Sequence, residues 1–157
     1  MHAKLDTDYD FTEQNQVQGH WKLGDNYSKG ESMLEDRLEV SQAGPTILVV
    51  DDDPQVRDLA VMMLEDTGFS VLEASSGEAA LDSLRQHPDV RLLFTDIRMP
   101  GMDGVELAGR AVELYPNLKV VFTTGYMIRR PPANMPIVPK PYRIDLMLNT
   151  VRDSLNS

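Results

Sequence analysis

The sequence predicts an α/β fold, a doubly wound five-stranded parallel sheet whose strands alternate with helices from Pro45 to the end of the chain. Three observations lead there. Apolar runs of strand length recur at Ile47-Leu48-Val49-Val50, Leu92-Leu93-Phe94-Thr95, Val120-Val121-Phe122-Thr123 and Ile137-Val138-Pro139. Such runs, bounded by turn residues, read as buried parallel strands. The segments between them carry apolar residues at helical spacing, and β-α alternation implies a parallel sheet with crossover helices. Finally, the runs stop on chemically pointed residues: Asp51-Asp52-Asp53, Asp96, Thr123-Thr124-Gly125 and Lys140. In an open α/β sheet the ligand crevice lies at these carboxyl ends.

Taken in order, the first strand runs into Asp53, which can cap a helix with Pro54 at its first position. Val56, Leu59, Ala60, Met63 and Leu64 form the apolar stripe of that helix, and Gly68 closes it. A short strand follows over Phe69 to Ala74. Ser75 and Glu78 have capping-box spacing ahead of Ala80, Leu81 and Leu84, and His87-Pro88 ends the second helix. After the Asp96 strand, Asp103 and Glu106 repeat that spacing, and a third helix runs to about Tyr115. Leu118 to Thr123 is the fourth strand and Ile137 to Pro139 the fifth. The last helix is expected to bury Ile144, Met147, Leu148, Val151 and Leu155.

Between Gly125 and Pro136 the pattern is irregular. Pro131, Pro132 and Pro136 leave little room for a helix, so the fold is expected with a reduced fourth helix, one turn or none. Residues 1–44 also differ from the rest, with four Lys/Arg against nine Asp/Glu and few aliphatics. Such an acidic tail buries too little apolar surface to offset its ordering entropy, and disorder is expected. Glu31 to Val40, with Met33, Leu34 and Leu38, is the one stretch with helical character; Trp21, the single tryptophan, also falls in the tail. The domain division is therefore 1–44 and 45–157.

A net charge of −10 and a pI near 4.6 argue against direct DNA or RNA binding, which needs a basic footprint. With no cysteine, disulfides, thiol catalysis and zinc-cysteine sites are excluded. The start, Met1 to Asp8, lacks the apolar core of a signal peptide, and no stretch reaches membrane-spanning length. The expectation is a cytoplasmic protein without membrane attachment.

Carboxylates gathered at strand ends repel one another unless a hard divalent cation, Mg²⁺ above all, sits between them. Asp51-Asp52, Asp96 with its Met99-Pro100-Gly101-Met102-Asp103-Gly104 loop, Thr124-Gly125 and Lys140-Pro141 occur in that order. Over residues 45–157 the chain thus resembles the response-regulator receiver domains, flavodoxin-like phospho-accepting modules of two-component signalling. The resemblance implies that Asp96 accepts a phosphoryl group from a histidine kinase or histidine phosphotransfer protein. It implies Mg²⁺ held by Asp52 directly, by Asp51 through water, by Asp96 and by the backbone carbonyl of Arg98. Lys140 would pair with Asp96 at rest and with phosphoryl oxygens afterwards, and Thr124 would offer its hydroxyl. Such a module is not an enzyme on a separate substrate, because it promotes only its own phosphorylation and dephosphorylation. Output would pass to a downstream protein partner or by onward phosphotransfer to a histidine.

Two departures stand out. The position three before the lysine, aromatic in most receivers, is Ile137, so the usual aromatic-threonine coupling falls to Tyr126 or Tyr142, and the Gly125–Pro136 loop is expected to carry the switch. The Thr-Gly-Tyr ending resembles hybrid-kinase and stand-alone receivers more than those joined to DNA-binding domains. Two other readings compete. A pseudo-receiver would bind partners unphosphorylated. A haloacid-dehalogenase-like phosphatase would use Asp51-Asp52-Asp53 but needs an acidic pair after its lysine, which does not follow Lys140.

Overall fold

The computed structural model describes residues 44–125 and 135–157. Five strands, β1 (Thr46–Val50), β2 (Ser70–Ala74), β3 (Val90–Asp96), β4 (Lys119–Thr124) and β5 (Ile137–Pro139), alternate with four helices among the described residues. These are α1 (Pro54–Glu65), α2 (Gly77–Gln86), α3 (Gly104–Leu114) and α4 (Ile144–Asn156). The strands form one sheet in the order β2-β1-β3-β4-β5, and every adjacent pair is parallel. The chain therefore steps outward to β2 and returns across β1 to β3. That reversal makes the carboxyl ends of β1 and β3 the switch point of the sheet, the place where open α/β sheets bind their ligands.

Period-two alternation divides the core between the two faces of the sheet. Leu48, Val50, Leu93, Val120 and Phe122 face α2 and α3, packing with Ala80, Leu81, Leu84, Leu107, Ala108 and Ala111. Ile47, Val49, Leu92, Phe94 and Val121 face α1 and α4, packing with Ala60, Leu64, Met147 and Val151. Covered on both sides, β1 reads as an unbroken aliphatic run, and Ile47 to Val50 are all buried. Among the described residues no helix is long and apolar enough to cross a membrane.

Helix starts follow local chemistry. Asp53 caps α1, accepting from the backbone N–H groups of Gln55 and Val56 at 2.9 and 3.3 Å, with Pro54 at the first position. Asp103 caps α3 through Glu106 N–H at 2.8 Å. Gly68 ends the α1 turn at φ +91°, a conformation that costs glycine least, with its N–H donating to the Glu65 carbonyl at 2.9 Å.

Three expectations need correction. The cap of α2 is Ser76, not Ser75, and it accepts from Ala79 N–H at 3.1 Å. The shift places Gly77 first in the helix, where a Cβ would lie 2.8 Å from Met102 Cβ; the β2–α2 turn approaches the loop after β3 too closely for a side chain there. Leu59 is exposed rather than part of the α1 stripe, because the face that meets the sheet is centred on Ala60 and Leu64 with Val61 and Met63 beside them. Ile144 is also exposed, since the three-residue edge strand β5 leaves the first turn of α4 little sheet to cover. The expected tail over residues 1–43, the helical stretch 31–40, Trp21, Tyr126 and the reduced helix and switch loop over 126–134 lie outside the described residues.

Candidate functional site

Each strand at the switch point delivers its residue at the last position or just past it. Asp51 follows β1 and Asp96 is the final residue of β3, while Thr124 ends β4 and Lys140 follows β5, with the Lys140–Pro141 peptide cis. The neighbouring strands are tied together there, Ile97 N–H donating to the Thr123 carbonyl at 3.0 Å and Lys140 N–H to the Thr124 carbonyl at 2.9 Å. One carboxylate oxygen from each of Asp51, Asp52 and Asp96 lies within 4.8 Å of the others. Asp51 and Asp96 are buried and Asp52 is exposed. Three carboxylates so placed form the all-oxygen donor set that suits a hard divalent cation such as Mg²⁺.

Lys140 reaches into the same cluster. Its Nζ lies 2.6 Å from Asp51 Oδ2 and 3.2 Å from Asp96 Oδ1, so the lysine expected beside Asp96 is shared between two acids. Asp51 is more fully engaged than the sequence indicates. Its Oδ1 accepts from Asp53 N–H at 3.0 Å, its own N–H donates to the Ala74 carbonyl at 3.3 Å, and its carbonyl accepts from Arg57 Nη1 at 2.8 Å. Arg57 is a contact that the sequence reading missed. Its signal was its place in α1, since Arg57, Ala60, Val61 and Leu64 fall at i, i+3, i+4 and i+7, the spacing of an inward stripe.

Asp96 is set by packing. In the loop that follows, Met99 and Met102 are buried in the core and Gly101 adopts φ +74°. Gly104 N–H donates to the Ile97 carbonyl at 2.9 Å, and a Cβ on Gly104 would lie 1.9 Å from the Asp96 carbonyl oxygen. No other residue type fits where α3 begins. Arg98 lies in this loop with its side chain exposed.

Burial and charge tune the groups. The Asp96 carboxyl is raised above its ordinary range first by burial and then by Asp51, against the opposing pull of Lys140. Burial alone would lower Lys140, but its hydrogen bond to Asp51, with Tyr142 and Asp96 adding, holds the ammonium above its usual value. The Tyr142 hydroxyl is pushed up to about 12 by burial, opposed by Thr123 and Lys140. Its ring packs against Phe94 with centroids 5.9 Å apart. The Thr123 hydroxyl is buried and makes no hydrogen bond of good geometry with a described residue, though it is near enough to Tyr142 to favour the ionised phenol. The phosphatase reading gave Asp96 no role and does not fit a cluster in which Asp96 is a full member.

Comparison with known proteins accords with this geometry. The family model described as "Response regulator receiver domain" matches residues 47–130. The response regulator receiver protein CpdR of Brucella abortus is 36% identical over 115 residues, covering 69% of this chain and 95% of that protein. The sensor kinase CckA of the same organism is 30% identical over 132 residues, which are 80% of this chain but 14% of the kinase. Among solved structures, the response regulator TrrA of Thermotoga maritima in complex with Mg²⁺ and BeF superposes with a TM-score of 0.65 at 30% identity, covering 70% of this chain and 98% of that one. This chain belongs to the response regulator receiver domain family of two-component signalling.

Proposed function

We propose that this receiver takes a phosphoryl group onto Asp96 from the phosphohistidine of a histidine kinase or phosphotransfer protein, with Mg²⁺ bound at the acidic cluster. The observation that carries the reading is the meeting of Asp51, Asp52 and Asp96 within 4.8 Å, with Lys140 Nζ 3.2 Å from Asp96. An Asp96 oxygen attacks phosphorus, the P–N bond to the donor imidazole breaks, and its electron pair returns to the ring nitrogen. An acyl phosphate results. Burial that raises the Asp96 carboxyl also leaves its ionised form poorly solvated, and so a better nucleophile. Transfer of this kind asks the protein chiefly for positioning and neutralisation of charge.

Asp52, Asp96 and the Arg98 carbonyl would hold the cation directly in this reading, and Asp51 would act through water. The occupied state of both Asp51 oxygens, one by Asp53 N–H and one by Lys140, supports that division. When bound, Mg²⁺ would neutralise charge on the phosphoryl oxygens. Lys140 then turns from the carboxylates to those oxygens, and the Thr124 hydroxyl follows. Residues 45–157 form the receiver unit in this reading, with 1–44 as an acidic extension. The protein works in the cytoplasm and passes its signal to a protein partner or by onward phosphotransfer, not by binding DNA.

Incubation with acetyl phosphate tests the reading through intact mass. With Mg²⁺ the wild-type chain should gain one phosphoryl group, and with a chelator or as Asp96→Asn it should gain none. Equal labelling in all three would defeat the assignment. No labelling of the wild type by either acetyl phosphate or a phosphorylated kinase would leave the pseudo-receiver reading standing instead.

A further inference from the structure

Arg57 occupies an inward position of α1 that an aliphatic residue would ordinarily fill, and its side chain is 15% exposed. The guanidinium forks. Nη1 donates to the Asp51 carbonyl at 2.8 Å, and Nε donates to Glu73 Oε2 on β2 at 3.2 Å. A planar guanidinium that satisfies two acceptors at once is fixed in orientation as a single-point ammonium is not. Its target is a specific oxygen. The Asp51 carbonyl lies in the rigid plane of the Asp51–Asp52 peptide, so holding that oxygen sets the direction in which the chain leaves β1 and carries Asp52. The side chain of Asp51 is anchored through Asp53 and Lys140, and of those two contacts the Lys140 one must loosen if the lysine turns to a phosphoryl group. The Arg57 contact takes no part in that exchange.

We propose that Arg57 is a positioning residue for the cation site: by holding the Asp51 carbonyl and bracing against Glu73, it aims the exposed Asp52 carboxylate toward Asp51 and Asp96. The inference rests on the reading of that cluster as a Mg²⁺ site. A rival account treats Arg57 only as a positive charge near the site, and it predicts the opposite sign. Removing a cation from the neighbourhood of a bound cation tightens binding, whereas removing a brace weakens it.

Mg²⁺ titrated into the full-length chain and followed by amide chemical shifts separates the two, because the same spectra report whether each variant is folded. Arg57→Met should weaken Mg²⁺ binding by about tenfold, the scale on which outer residues support metal ligands. Arg57→Lys keeps the charge but loses the fork, and should weaken binding almost as much. Glu73→Gln should show a smaller loss and should add nothing on the Arg57→Met background. Wild-type affinity in Arg57→Lys, or tighter binding in Arg57→Met, would overturn the proposal. If Arg57→Met does not fold, Arg57→Lys and Glu73→Gln decide the matter by the same criteria. A wild-type chain that binds no Mg²⁺, or an Asp52→Ala variant that binds it as well as wild type, would instead overturn the metal site and this proposal with it.

Discussion

The loop after β1 holds its acids with polar contacts, whereas the loop after β3 holds Asp96 with packing. On the β1 side, Asp51 is fixed by the Ala74 carbonyl, Arg57, Asp53 N–H and Lys140, and the next acid, Asp52, is exposed. On the β3 side, buried methionines and a glycine pressed against the Asp96 carbonyl leave the backbone no freedom. The difference fits the two roles proposed above. Hydrogen bonds and ion pairs can exchange partners at small net cost, so a loop built from them can adapt as charge arrives. Close-packed groups cannot shift without opening a void or a clash, so the Asp96 carboxylate is held in the fixed place that the proposed attack on phosphorus would require.

The largest effect should come from breaking the packed side. Gly104→Ala drives a methyl group into the Asp96 carbonyl oxygen, and we expect a loss of about 3 kcal/mol or more in denaturant unfolding, the upper end of overpacking costs. Phosphorylation of the folded remainder should fall with it. Next, Met102→Ala removes buried contacts with the β2–α2 turn, at a cost of about 2 kcal/mol or more. A variant at either position with wild-type stability would show that packing does not set this loop.

Asp96→Asn isolates charge from shape. The folded-state pKa of Asp96 is raised, so its protonated form is the one folding favours. Its contribution to stability is present below the unfolded value of 3.8 and is lost as pH rises through the folded value. At neutral pH the ionised carboxylate therefore weakens the metal-free native state. Thermal melts without divalent ions should place Asp96→Asn above wild type at neutral pH, and the gap should close as the carboxyl titrates in acid. A gap that widened in acid would reverse the assigned sign. The smallest effect belongs to the polar side. Asp53→Ala removes a helix cap and should cost about 1 kcal/mol, with Mg²⁺ binding retained far better than in Asp52→Ala.

Much of this was legible in the sequence, for local reasons. Aliphatic runs ending on Asp51, Asp96, Thr124 and Lys140 marked the strands and the crevice edge together, because burial on both faces leaves a run no polar position until it emerges. Asp53-Pro54 and Asp103 announced their helices through capping chemistry confined to three or four residues. What escaped depends on contacts between distant segments. Ser76 displaces Ser75 as the cap because Gly77 must pass Met102, 25 positions further on. Leu59 and Ile144 satisfy the helical period yet lie outside the width of sheet available to cover them. Arg57 was hidden because its partners are a main-chain carbonyl and Glu73, 16 residues away, and a carbonyl leaves no mark in a sequence.

The proposed function turns on the side chain of Asp96 becoming an acyl phosphate. Borohydride reduces such a phosphate to the alcohol, so treating the phosphorylated protein and mapping its peptides reads the modified residue directly. Homoserine is expected at position 96 and nowhere else, dependent on Mg²⁺ in the labelling step. An unmodified Asp96, with homoserine at position 51, 52 or 53 or with phosphate on a hydroxyl such as that of Thr124, would contradict it.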